Sequence, residues 1–239
     1  MHRRGFDILT KNHAEAILAN DFSSETRALV SVLEDFRISV SELIAGGGGE
    51  AASTQRLRRS LAALGWPKHE FLVQTIVDGQ EREGISHEVD HVLRAKHGTL
   101  CLEIEWNNKD PFFDRDLENF QRLHSIGATS VGIIITRGQS LQDSFFNRIR
   151  DRLILDGIEG EKDLKIYGVE ERTAAQRRAV DKLVQRGVPF PEAFARNFVS
   201  SKYGQATTHW RKLEARVTRG VGNPCPLLLI GLPKEILVD

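Results

Sequence analysis

Cysteine is nearly missing from this chain: Cys101 and Cys225 are its only two among 239 residues, which points to neither a disulfide framework nor a zinc site. No apolar run approaches the roughly 20 residues of a membrane span. The first residues, Met1-His2-Arg3-Arg4-Gly5, lack an apolar signal segment, so a cytoplasmic protein without a membrane partner is expected. An excess of either charge is missing too, with 33 Lys+Arg against 33 Asp+Glu and a formal net charge of zero. That balance counts against an indiscriminate nucleic-acid coat, which would be basic. It is compatible with an enzyme whose basic side chains gather in one cleft. There is no phosphate-binding glycine loop, no Ser/His/Asp or Cys/His arrangement for covalent chemistry and no internal repeat. What is present is 40% hydrophobic residues, enough for a sizeable core.

The densest information lies between Asp90 and Trp106. It reads as two short strands joined at a His97-Gly98 turn. Side chains alternate along a strand, so Glu103 and Glu105 share one face while Leu100, Leu102, Ile104 and Trp106 take the other as core. With that turn, Lys96 faces Thr99, Val92 faces Glu103, and Asp90 faces Glu105. Three carboxylates then converge. Repulsion among them is relieved by a bound cation or a shared proton, and oxygen ligands suit hard ions, Mg²⁺ first. The alternative is an amphipathic hairpin with a solvated acidic face. Against it stand the third carboxylate in register, the polar loop Asn107-Asn108-Lys109-Asp110-Pro111, and the strand Val131–Thr136, apolar enough to be buried on both faces.

Asp90, the Glu103-Ile104-Glu105 triplet, the polar loop, a helix over Asp114–Ser125 and the strand Val131–Thr136 ending in Arg137-Gly138 resemble the catalytic core of type II restriction endonucleases. The resemblance is to the PD-(D/E)xK superfamily, in particular its BamHI/BglII/BstYI branch. It is good over roughly residues 85–140 and looser over Gly46–Trp66 and Lys202–Arg219. Glu105 stands where most of the superfamily has lysine; in this branch that place holds Glu or Gln. The resemblance implies Mg²⁺-dependent hydrolysis of double-stranded DNA at a short palindrome, with a central GATC as in several relatives. It also implies a homodimer and a cognate methyltransferase in the same system. Other readings are a structure-selective or repair nuclease of the same superfamily, or a non-catalytic DNA-binding protein with a decayed site.

In that chemistry Asp90, Glu103 and the Ile104 carbonyl ligate an ion. Glu105 either ligates a second ion or takes a proton from the attacking water. Two ions per site restore the positive charge that a lysine would carry. Resembling enzymes have a further polar ligand upstream. Glu70 is nearest by position, with His69 beside it and Glu50 as rival, although Glu70 also reads as an ordinary exposed strand residue.

The strip Lys202-Tyr203-Gly204-Gln205-Ala206-Thr207-Thr208-His209-Trp210-Arg211-Lys212 mixes hydroxyls, amides and basic groups ahead of a helix. Thr207 or Thr208 would be its N-cap. Lys202, Tyr203, Thr207, Thr208, His209, Arg211 and Lys212 are thus candidate DNA contacts, or else a surface loop before a capped helix. Asn107, Asn108 and Lys109 are placed to touch the backbone near the cut, and Arg137 to read a guanine bidentately. Arg56, Arg58 and Arg59 form either a phosphate face or a solvated one.

The expected fold is α/β, a central mixed β-sheet flanked by helices in a restriction-endonuclease-like core. A single endonuclease domain spans 1–239: a mainly helical part (1–66), the catalytic core (67–170), and C-terminal helices and a strand carrying the DNA-contacting strip (171–239). Helix is expected over 13–45, broken near Phe22–Ser24 with Ser24 as a cap, and from Ser53 or Thr54 to about Leu64. Further helices are expected over Leu141–Leu155, Thr173–Arg186 and Pro191–Val199. Strands are expected over Phe71–Val77, Leu164–Val169 and Leu227–Ile230, the last joining the central sheet.

Overall fold

The computed structural model describes residues 4–45, 51–169 and 172–239. Gly46–Gly49 and the rival ligand Glu50 lie outside the described residues. The chain begins with strand β1 (Asp7–Lys11), helices α1 (Ala14–Asn20) and α2 (Ser23–Asp35), strand β2 (Ile38–Ser39), and helices α3 (Val40–Ile44) and α4 (Ala52–Ala63). A long hairpin of β3 (His69–Val77) and β4 (Gln80–Val89) leads into a second, β5 (His91–Ala95) and β6 (Gly98–Glu105). Helix α5 (Phe112–Ser125), strand β7 (Val131–Arg137) and helix α6 (Gln139–Leu155) follow. Then come a 3₁₀ turn (Glu161–Tyr167), helices α7 (Ala174–Val184), α8 (Phe190–Lys202) and α9 (Trp210–Thr218), and strands β8 (Leu227–Leu232) and β9 (Leu237–Val238).

The central sheet has the order β1-β8-β7-β6-β5. Its middle strands β6, β7 and β8 are parallel, and β1 and β5 add antiparallel edges. This is the mixed α/β sheet expected, with helices on both faces. All seven residues of β7 are buried because its alternate side chains serve two cores. Ile133 and Ile135 join Leu102, Ile104, Leu228 and Ile230 against Leu33, Leu141, Phe145 and Ile149 of the helices. Ile134 joins Cys101, Leu227 and Leu229 against Leu117, Phe120 and Leu123 of α5 and Leu213 of α9. No helix among the described residues is long and apolar enough to cross a membrane.

Several expectations need correction. The β5–β6 turn is Lys96-His97, not His97-Gly98: Ala95 pairs with Gly98 and Val92 with Cys101. Gly98 belongs to the strand, at φ 148°, where a Cβ would lie 2.2 Å from the Ser130 hydroxyl. The register slips by two residues, so every side chain keeps its predicted face. Leu164–Val169 is not a strand. Asp163 accepts the Gly160 N–H (2.9 Å) and starts the 3₁₀ turn, which ends at Gly168 with φ 68°. Ser24 does not cap α2, since its hydroxyl bonds Glu25 instead (2.8 Å). The N-cap of α9 is His209 rather than Thr207 or Thr208. Strand β1, absent from the sequence reading, exists through its pairing with β8, more than 200 residues away along the chain.

Helix α5 sits low on β7 because Gly132 leaves room for the Phe120 ring, which a Cβ there would meet at 2.4 Å. Gly132→Ala should therefore lift α5 and cost about 1–3 kcal/mol by overpacking. Urea unfolding measures it, and an unchanged midpoint would show that α5 is not seated by this contact.

Candidate active site

The C-terminal half of β6 sends Glu103 and Glu105 towards α5, into the face that carries Ile134 and Leu229 on the neighbouring strands. Both are almost fully buried, at 4% and 2% exposure. Asp90 sits half-buried in the bend between β4 and β5, and its N–H donates to Glu103 Oε2 at 3.4 Å. The side chains arrive together at the carboxyl end of parallel strands, where open α/β sheets place their sites.

A fourth carboxylate joins them. Asp116, in the second turn of α5, is 1% exposed. Its Oδ1 accepts two bonds from Arg115 (Nε 2.9 Å, Nη2 2.8 Å), while its Oδ2 is buried without a partner. Arg115 also reaches Glu105 Oε1 at 3.7 Å, and the Asn108 side-chain amide donates to Glu105 Oε2 at 2.8 Å. In the sequence Asp116 is an acid early in the helix, where it also suits the helix dipole. The usable signal was its position one turn before Phe120, on the stripe of α5 that packs inward.

Burial pushes the Glu103 carboxyl well above the usual range, helped by the charges of Asp116 and Asp90. Burial also raises Glu105, to about 9, with Asp116 adding to it and Asn108 and Arg115 opposing. Asp116 is raised by burial too, with Arg115 pulling the other way. The donor set is all oxygen, buried and short of positive charge, with one oxygen unpartnered. That chemistry fits a hard divalent ion. Among the described residues, however, no three His, Cys, Asp or Glu side chains stand gathered around a common ion position. Arg115 and Asn108 hold Asp116 and Glu105 towards themselves instead.

Glu70 does not complete the cluster. It is exposed on β3 opposite Glu88, and neighbouring His69 contacts Arg94 (2.9 Å). The Ile104 backbone pairs with β7 between the two glutamates.

The polar loop after β6 and the strip before α9 are zipped together. Thr208 N–H donates to the Asn108 carbonyl (2.8 Å), Asp110 N–H to the Ala206 carbonyl (3.0 Å), and Lys109 forms a bridge with Thr207. Lys212 and Arg216 reach Asp110 at 3.3 and 3.5 Å. Asn108, Lys109, Gln205 and Arg211 are exposed here, with Asn107, Lys202, Thr207 and Lys212 intermediate. Tyr203, Thr208 and His209 are buried. Burial, with Arg137, Lys212 and Arg211 nearby, pushes His209 down to about 4, so it is neutral. Lys202 donates to the Leu43 carbonyl (3.1 Å).

Arg137 has no exposed surface. Its guanidinium bonds Gln142 Oε1 (2.7 Å), Thr207 Oγ1 (2.7 Å) and the Thr208 carbonyl, and faces the Tyr203 ring. Every direction in which it could meet a base is filled by protein, so the expectation of a guanine reader does not fit its placement. It braces the strip from behind.

A family model described as restriction endonuclease BglII/BglIII matches residues 6–232. No curated protein matches the sequence.

Two outcomes follow from this geometry. Carboxyls raised in the fold keep protons that the unfolded chain has lost. In the presence of a chelator, stability should therefore fall as pH rises from the ordinary carboxyl value near about 4.3 through about 9. Urea midpoints at several pH values test it, with Glu105→Gln giving a flatter profile; stability rising over that window would contradict the raised values. Arg137→Ala should cost roughly 3 kcal/mol or more by orphaning buried acceptors. It should weaken cognate and random DNA binding alike, and a loss confined to one base pair would restore the base-reader role.

Proposed function

We propose, for a chain that belongs to the BglII/BglIII family of restriction endonucleases and is thereby a site-specific endonuclease acting on DNA, that Asp90, Glu103 and Glu105 form its catalytic centre. Mg²⁺ is the proposed cofactor, as two ions per site, in a family that generally uses divalent ions. The single observation carrying this is the convergence of Glu103 and Glu105 on one face of the sheet, both buried and with carboxyls raised by that burial, beside half-buried Asp90, whose N–H donates to Glu103.

Asp90, Glu103 and the Ile104 carbonyl would hold the first ion, and Glu105 the second. Divalent ions held by these residues would supply an activated water and stabilisation of the departing oxygen. The protein's part is to fix the ligands. The Asp90 N–H steadies Glu103, Asn108 and Arg115 steady Glu105, and the apolar row of Ile134 and Leu229 keeps bulk water from that side. On deprotonation Glu105 can accept the proton of the attacking water. The exposed Asn108, Lys109 and Arg211 of the loop and strip, with the half-exposed Asn107 and Lys212, are proposed to meet the DNA backbone and bases. One centre per chain cuts one strand in one pose, so a twofold homodimer on a palindromic site, with GATC at its centre, is the proposed assembly. A cytoplasmic location and a protecting methyltransferase complete the reading.

Plasmid DNA with Mg²⁺ tests it. Discrete fragments are expected, and Glu103→Ala should abolish them while retaining DNA binding, since removing a carboxylate removes repulsion towards phosphate. A smear or structure-dependent nick would replace this reading with a structure-selective nuclease. Full cutting by Glu103→Ala would remove the centre altogether.

A further inference from the structure

Beside Asp90 opens a cavity of about 370 Å³, lined in part by Ile104 and Trp106. Asp90 and His91 line it from the strand bend, Asn107 and Asn108 from the loop after β6, and Thr54 and Arg58 from α4. Thr54 and Arg58 are one helical turn apart and so share a face. Ser53, Leu57 and Leu61 of the same helix are buried and fix which face that is. The three arginines of α4, indistinguishable in the sequence, separate in the structure. Arg56 bonds Glu42 through two nitrogens and the Arg37 carbonyl through one of them (2.9 Å), and does not line the cavity. Arg59 is exposed and does not line the cavity. Arg58 lines it, and its charge is felt at His91 on the opposite wall.

A phosphodiester approaching Asp90, Glu103 and Glu105 is an anion approaching acids. It needs a cation supplied by the protein on the side away from them. A guanidinium presents a planar fork to two phosphate oxygens at once, and a threonine hydroxyl can donate to a third. Asn107 and Asn108 add neutral amides on the far wall. We propose that Arg58, with Thr54, grips the DNA backbone phosphate that lies in this cavity next to Asp90. The inference rests on the nuclease reading above and adds the substrate-holding group to it.

The test uses the full chain with duplex DNA. Arg58→Ala should lose one phosphate contact, so the slope of log K against log [salt] should become shallower by about 0.9. Its single-turnover cleavage should fall by about 100-fold or more. Arg58→Lys should keep the slope, because the charge remains, and recover only part of the rate, because the fork is gone. Arg186→Ala, at an exposed position beyond α7, should change neither. Thermal unfolding of each variant checks that the fold persists, and exposed Arg58 makes that the expected result. Wild-type protein that cuts DNA, beside an Arg58→Ala protein with the same slope and rate, would overturn this inference alone. Wild-type protein that neither binds nor cuts DNA would overturn the nuclease reading and this inference with it.

Discussion

Like charge held out of water is the constraint on which this molecule is arranged. Glu103, Glu105 and Asp116 meet between the sheet and α5, with half-buried Asp90 at their edge, where charge is expensive and neighbours repel. Nothing local to β6 would tolerate that. It is tolerated because β6, β7 and β8 form a parallel slab clamped by helices on both faces, and because Arg115, Asn108 and the Asp90 N–H each take one oxygen. The remaining deficit of positive charge is what a divalent ion would fill. A protein optimised only for stability would put leucine there; buried, partly unsatisfied acids are a cost kept for chemistry.

The same constraint organises the neighbourhood. The loop after β6 bonds Glu105 through the Asn108 side chain and the strip before α9 through the Asn108 carbonyl. Arg137, sealed behind the strip, fastens Thr207 and Thr208 to α6 through Gln142, whose amide in turn bonds the Tyr203 carbonyl (2.7 Å). The strip and the carboxylates therefore belong to one hydrogen-bonded assembly, and neither can shift without breaking bonds that hold the other. In a site-specific endonuclease, that continuity gives a physical route to Glu105 from the strip proposed to meet DNA.

Much of this was legible in the residues. Alternation along Leu100–Trp106 placed Glu103 and Glu105 on the face opposite Leu100, Leu102, Ile104 and Trp106, and a two-residue slip in the turn left that intact because strand faces repeat every two residues. The uniformly apolar β7 announced a central strand, and the spacing of Leu117, Phe120 and Leu123 announced α5. Asp116 was hidden because a charged residue early in a helix satisfies the helix dipole equally well when exposed. Arg137 was misjudged because its type suits both base reading and internal bracing. Glu70 was misplaced because position before a hairpin does not say which way a strand face turns.

The sequence by itself determined the two periodicities, and with them the elements, the inward faces and the pair of glutamates on one strand, since these depend on neighbours only a few residues apart. Tertiary structure alone decided which distant groups share a space. Examples are Asp116 against Glu105, the Arg137 guanidinium against Thr208, Arg58 across from Asp90, and β1 beside β8. Those choices are set by how the helices pack on the sheet, a many-body balance of volume and buried area that no short window of residues contains.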